Sequence, residues 1–225
     1  LVETDLMLAN GEVLTLSENQ NADLFWAVRG AGAGNFGVHT SMTFQTFPVG
    51  NVVAFNIDFS ERLGELLETL MGLLTSFPRE LGLKFSIVAT QASGVNSLRL
   101  NLLGQFVGTP SELTDLLAPL TAIATPSRSD IQNVPYWFAQ RNLLGEEGAA
   151  EFSFERSRSA DQPISAQGVQ TILERMAAWP GLEGQATWKL FLAGGAISDV
   201  APSATAYVHR RALGISAIEV EWHNP

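Results

Sequence analysis

The chain has 225 residues, 46% of them hydrophobic and 16% charged, with a formal net charge of −10. That composition supports an ordinary globular core, enough for one large domain or parts of two. The acidic balance argues against nucleic acid or an anionic membrane surface as a partner. No cysteine is present, so disulfides and thiolate metal sites are excluded.

The first pattern is a hairpin. "DLMLANGEVLTL", Asp5 to Leu16, sets Asn10-Gly11 between two apolar runs and predicts a type I′ turn. A short helical turn over Asp23 to Arg29, capped by Asn21 or Asp23, leads into a glycine-rich loop. Val38 to Phe47 then reads as a strand, with Val38, Thr40, Met42 and Phe44 on one face and Pro48 as its stop. Pro48-Val49-Gly50 marks a domain junction, giving domains 1–48 and 49–225. Beyond it, Val52 to Phe59 is a strand. Ser60 caps a helix with Leu63, Leu66, Leu67, Leu70, Leu73 and Leu74 at helical spacing, ended by Pro78. Lys84 to Gln91 and Ser97 to Val107 are strands around a turn at Gly94. Thr109-Pro110-Ser111-Glu112 is a capping box with proline in the first turn, opening a helix to about Ala124. Pro126 to Pro163 shows no clear period, although Tyr136, Trp137 and Phe138 argue against disorder. Ser165 starts a helix through Trp179, and Gln185 to Ala193 and Leu213 to Trp222 are further strands. This order predicts an α+β fold: an antiparallel sheet with helices on one face and no βαβ phosphate unit.

The glycine loop poses a choice. Gly32-Ala33-Gly34-Asn35-Phe36-Gly37 matches the G-x-G-x-x-G dinucleotide pattern. A Rossmann site needs a strand before the glycines and a helix after them. Here the lead-in reads as helix and the exit as strand, which argues against it. The remaining readings are a tight turn, or a backbone loop pressed against a flat or anionic ligand. The run "DLFWAVRGAGAGNFGVHTSMTF" resembles the end of the PCMH-type FAD-binding domain of the vanillyl-alcohol oxidase superfamily, and within it the berberine bridge enzyme-like oxidases. The resemblance implies that Gly34, Asn35, Phe36, Gly37 and Val38 contact FAD. Ala31 and Ala33 depart from the family pattern by replacing glycines, and His39 stands where valine is usual. His39 either faces the flavin or packs as an ordinary strand residue.

A second stretch carries the same resemblance. Gly194-Gly195-Ala196, then Ala204-Thr205-Ala206-Tyr207-Val208-His209-Arg210-Arg211-Ala212, then Ile218-Glu219-Val220-Glu221-Trp222, are similar to the family's substrate domain, with Val208 where proline is usual. The resemblance therefore spans nearly the whole chain. It implies an FAD-dependent oxidase acting on a sugar, alcohol or phenolic natural product, with molecular oxygen as acceptor. The family's flavin-attachment and C-terminal segments are not in the sequence, so it reads as the middle of a larger oxidase whose other segments are its partners, and by itself it is expected to be inactive. A non-catalytic flavin-fold binding or storage-type protein is the alternative. Without cysteine this stretch provides no cysteinyl flavin link. His39, His209 and His223 are too scattered for a metal site. No Ser-His-Asp pattern or P-loop appears. No apolar run reaches transmembrane length, so a soluble chain is expected, with secretion left open.

Strand parity sorts the candidate site. Leu98, Leu100, Leu102, Phe106, Trp188, Leu190, Ile218, Val220 and Trp222 belong to the core side. Arg99, Asn101, Gln105, Thr187, Lys189, Phe191, Glu219, Glu221 and His223 lie opposite. This mixed face is either a solvated surface or one wall of a cleft, and the resemblance, in which the sheet roofs the flavin, favours the cleft. Gln105, Thr187 and Lys189 are then substrate-binding candidates. Flavin oxidation also needs a base for the substrate proton. Glu219 and Glu221 are the carboxylates on a suitable strand, although alternate glutamates also suit a solvent-facing edge.

Overall fold

The computed structural model describes residues 1–32, 34–92, 95–144, 152–181 and 184–222, so Ala33, Gly94 and His223 lie outside the described residues. The backbone forms two compact units, Leu1–Val49 with Ala196–Arg211, and Gly50–Gly195 with Ala212–Pro225. The chain crosses between units at Val49/Gly50, and segment 196–211 leaves the larger unit to pack with the first. A contiguous second domain over 49–225 is therefore not what the chain forms. Two stretches far apart in sequence are needed to complete the first unit.

In the first unit, β1 (Glu3–Met7), β2 (Val13–Ser17) and β3 (Val38–Thr43) make an antiparallel sheet in the order β2-β1-β3. The hairpin is present, but its turn is not type I′. Gly11 alone of the turn residues has positive φ (82°), and Leu8 N–H bonds Glu12 O. That is a three-residue loop closed by a left-handed glycine. Helix α1 (Ala22–Val28) follows, with Asn21 left-handed at its N-cap and its side chain bonded to Thr15 O instead of the helix. Leu6, Leu16 and Phe25 form this unit's small buried core. Strand β3 does not alternate as expected. Its pairing with β1 slips so that Asp5 faces Ser41 but Leu6 faces His39, which leaves Thr40 as the extra residue of a bulge. A bulge shifts the faces by one, so Val38 and Met42 no longer share a side.

The larger unit is a seven-stranded sheet in the order β7-β4-β6-β5-β9-β10-β8, antiparallel throughout. Its strands are β4 (Asn51–Phe59), β5 (Leu81–Ala92), β6 (Val95–Phe106), β7 (Arg128–Pro135), β8 (Phe152–Ala160), β9 (Gly184–Leu192) and β10 (Gly214–Trp222). One face is apolar in every central strand: Phe55 and Ile57, Phe85 and Ile87, Leu100 and Leu102, Trp188 and Leu190 are all buried. Helices α2 (Leu63–Leu73), α3 (Pro110–Thr121) and α5 (Ala166–Ala177) supply Leu66, Leu67, Leu70, Leu113, Leu117, Leu120, Val169 and Met176 to the same core. Each such side chain contributes about 1.5–3 kcal/mol by leaving water, so this face holds the unit together. The capping box forms: Thr109 Oγ1 accepts from Glu112 N–H, and the Glu112 carboxylate accepts from Thr109 N–H at 2.8 Å. Ser165 likewise caps α5. Ser60 does not cap α2. Its hydroxyl bonds Ser127, and the helix starts after Arg62, whose guanidinium holds Glu65 and the Ile123 carbonyl.

The stretch expected to be irregular carries β7, helix α4 (Tyr136–Leu144) and β8. Strands β7 and β8 are the two edges of the sheet. Helix α4 packs on the face opposite the other helices, with Ala139 fully buried beside Ala54 and Asn56. No helix among the described residues is long and apolar enough to cross a membrane.

Candidate functional site

In the first unit the two family-like motifs meet. Ala206 N–H donates to Trp26 O, and Trp26 Nε1–H donates to Ser203 O at 2.8 Å. Gly30 sits under Tyr207 so closely that a Cβ there would lie 2.1 Å from the Tyr207 nitrogen. Arg210 stacks over the Tyr207 ring at 4.8 Å and donates to Thr205 Oγ1 at 2.7 Å. The glycines therefore divide by role. Gly30 and Gly37 press on the protein's own chain, since a Cβ on Gly37 would stand 2.3 Å from Met7 O. Gly34, at φ 76°, has nothing within 4 Å of its Cβ position. Asn35 ties the loop by donating to Ala31 O, and Phe36 and Val38 are exposed, Val38 by 60%.

Among the described loop glycines, Gly34 is the open position and Gly30 and Gly37 are the close-packed ones. The loop is anchored at both ends and presents open backbone at Gly34 to Phe36. Gly37 is required for pairing with β1 as much as for any ligand. His39 is a packed residue. The Thr4 hydroxyl donates to Ser41 O at 2.7 Å, which leaves its oxygen to accept from His39 Nδ1–H at 2.7 Å and fixes that tautomer. On the opposite sheet face Asp5 accepts from Thr15 and Ser41, and these bonds hold its carboxyl below the usual range.

In the larger unit the mixed face gathers four of the five sequence candidates on β9 and β10. Lys189 Nζ sits between two carboxylates, 2.5 Å from Glu219 and 2.7 Å from Glu155, and its side chain is 12% exposed. Burial would lower its pKa, but the hydrogen bonds it donates to Glu155 and Glu219 outweigh burial and raise it. Thr187 lies directly across from Glu219. Glu221 accepts from Gln185 Nε2 at 2.5 Å. Both candidate bases are therefore already engaged, Glu219 by a cation and Glu221 by an amide.

Gln105 lies elsewhere. On β6, separated from β9 by β5, it lines a pocket of about 400 Å³ with Gly82, Lys84, Leu103, Gln140 and Phe191. Next to it, a pocket of about 260 Å³ under α4 is lined by Asn56, Arg128, Asp130 and Gln132. Lys84 was not among the sequence candidates, because parity was not applied to its strand. It faces the mixed side between Leu103 and Phe191, and burial, with Lys189 nearby, lowers its pKa. On the core side, Val220 and Trp222 are only half-buried and Ile218 is 44% exposed, because β10 lies beyond the helices, next to the edge.

No protein-family model matches the chain. Among curated proteins it is 30% identical over 231 residues to the FAD-linked oxidoreductase YgaK of Bacillus subtilis (strain 168), covering 100% of this chain and 50% of that protein. It is 27% identical over 231 residues to the xylooligosaccharide oxidase of Thermothelomyces thermophilus, covering 93% of this chain and 44% of that protein. Among solved structures, BBE-like 1 of Physcomitrella patens superposes with a TM-score of 0.82 at 23% identity, over 100% of this chain and 50% of that one. The chain spans about half the length of the curated relatives it matches.

Proposed function

Because the chain belongs to the berberine bridge enzyme-like family of FAD-linked oxidoreductases, we propose that it forms half of an FAD-dependent oxidase, with the first unit contributing to flavin binding and the larger unit to substrate binding. The observation that carries this reading is the match along the whole chain to proteins named as FAD-linked oxidoreductases. The open position at Gly34 supports it, since backbone with no Cβ in the way is what a flat ring system needs. When bound, FAD accepts the hydride from a substrate C–H bond, and molecular oxygen is the proposed final acceptor.

The chain's own residues have three tasks. Residues 34–38 hold the cofactor through backbone atoms. The mixed face orients a small polar substrate, with Thr187 and Gln105 as hydrogen-bonding groups. Lys189 holds Glu219 and Gln185 holds Glu221, so whichever carboxylate takes the substrate proton must part from that partner first. The relative named as a xylooligosaccharide oxidase favours a sugar over an alcohol or phenol as substrate.

The test is reduction of flavin in the full-length protein. Xylobiose, a simple alcohol and a phenol are each mixed anaerobically with it, and the visible spectrum is followed. Bleaching by xylobiose supports the oxidase reading. Bound flavin that none of the three reduces supports a flavin-fold binding protein.

A further inference from the structure

The pocket lined by Gln105 has two hydrogen-bond donors in its lining with no protein partner among the described residues. Gln105 Nε2 is buried and unbonded among the described residues. Lys84 is the pocket's one ionisable lining residue, and no ion pair to it is found among the described residues. Its neighbour Lys189, by contrast, is neutralised by two carboxylates. A buried donor without an acceptor costs about 1–3 kcal/mol, and more when it is charged. Gln105 carries that cost, and the half-buried Lys84 lining the same cavity adds a cation without an ion pair among the described residues, so the two together point to an acceptor that arrives with a ligand. Gly82 has no side chain to fill the floor beneath Gln105, its cross-strand partner. Phe191, directly across from Lys84, is 41% exposed and offers an apolar ring beside the donors.

We propose that this pocket is a subsite for a carboxylate-bearing sugar ring, with Lys84 and Gln105 receiving the carboxylate and Phe191 lying against the ring face. The proposal deepens the oxidase reading and rests on it for the sugar. The ligand chemistry comes from the donors themselves. An ammonium and an amide lining one cavity select an anionic oxygen over a hydroxyl, because charge-assisted bonds are about twice as strong as neutral ones. A cavity of about 400 Å³ accommodates one sugar unit.

Calorimetric titration of the flavin-loaded full-length protein tests it. The probes are a glucuronate-terminated disaccharide and its neutral glucose counterpart. The acidic probe is expected to bind roughly ten-fold more tightly. K84M should abolish that preference, K84R should retain it, and Q105L should reduce it. Equal binding of the two probes by the unaltered protein would overturn the proposal. So would a K84M variant that weakens both probes by the same factor. Flavin reduction, read in the same samples, separates the two claims. Reduction by the neutral sugar with no preference for the acid defeats the subsite and leaves the oxidase reading standing. A Lys84-dependent preference without reduction by any sugar retains the anion subsite and defeats the oxidase reading.

Discussion

Trp188→Ala should cost the larger unit more stability than any change on the opposite face of the same strand. Trp188 is 5% exposed, packs edge-on against Phe85 with ring centroids 6.0 Å apart, and donates Nε1–H to Ser216 Oγ at 3.0 Å. Truncating a buried tryptophan removes its transfer free energy and leaves a cavity, together about 3–5 kcal/mol. The lost bond to Ser216 adds about 1 kcal/mol. For a protein of this size that lowers Tm by roughly 8–24 °C. Trp188→Phe keeps most of the ring volume and should lose about 1–2 kcal/mol. Lys189→Ala, one residue along, removes two ion pairs of a largely buried lysine and leaves Glu155 directly across from Glu219. With the two carboxylates themselves partly exposed, that arrangement costs about 1–3 kcal/mol, between the values for exposed and buried pairs. Urea and thermal unfolding followed by far-UV circular dichroism give all three values. A Lys189→Ala loss equal to or larger than that of Trp188→Ala would refute the assignment of faces, and with it the substrate site.

Three further outcomes follow from the same geometry. Gly37→Ala should disrupt folding of the first unit, because its Cβ would meet Met7 O at 2.3 Å, whereas Gly34→Ala should reduce FAD affinity at a stability cost of only about 1–2 kcal/mol; flavin titration with parallel melts distinguishes them. Asp5 is held below its ordinary pKa by Thr15 and Ser41, so its contribution is present above the unfolded value of about 3.9 and lost as pH falls through the folded one. Thr15→Val should therefore flatten the acid limb of a stability–pH curve, lowering stability most at neutral pH and least in acid. The raised Lys189 works in the other direction: its contribution is full below about pH 10.4 and disappears as pH rises through the folded pKa, a loss that Lys189→Met should abolish.

Local signals were legible in the sequence where local chemistry decides the structure. The Thr109–Glu112 box closes over three residues and needs no tertiary partner. The alternation of β9 fixes Trp188 and Lys189 on opposite faces whatever surrounds them. Strands β7 and β8 were not legible, because each is an edge with one neighbour. "RSDIQNVP" and "FSFERSRSA" are largely exposed and have no apolar period to show. The helix start at Arg62 was missed because it is a left-handed cap without a side-chain bond, while Ser60 offered a better local cap that Ser127 takes up; Asn21 was one of two expected caps for α1, although it is left-handed and bonds Thr15 O instead of the helix. The return of 196–211 to the first unit depends on Gly30 and Tyr207, which are distant in sequence, and the one trace of it was a glycine with no evident local need. In the candidate site the carboxylates and Lys189 were legible by parity. Lys84 was not, because its importance lies in the lack of a partner, which only the surrounding strands reveal.

The most direct test of the central claim is the visible spectrum of the full-length protein purified with FAD present, recorded before and after anaerobic addition of xylobiose. The account predicts a yellow protein whose flavin band survives gel filtration, bleaches with the sugar and returns when oxygen is admitted. A folded protein that remains colourless and takes up no FAD would contradict it.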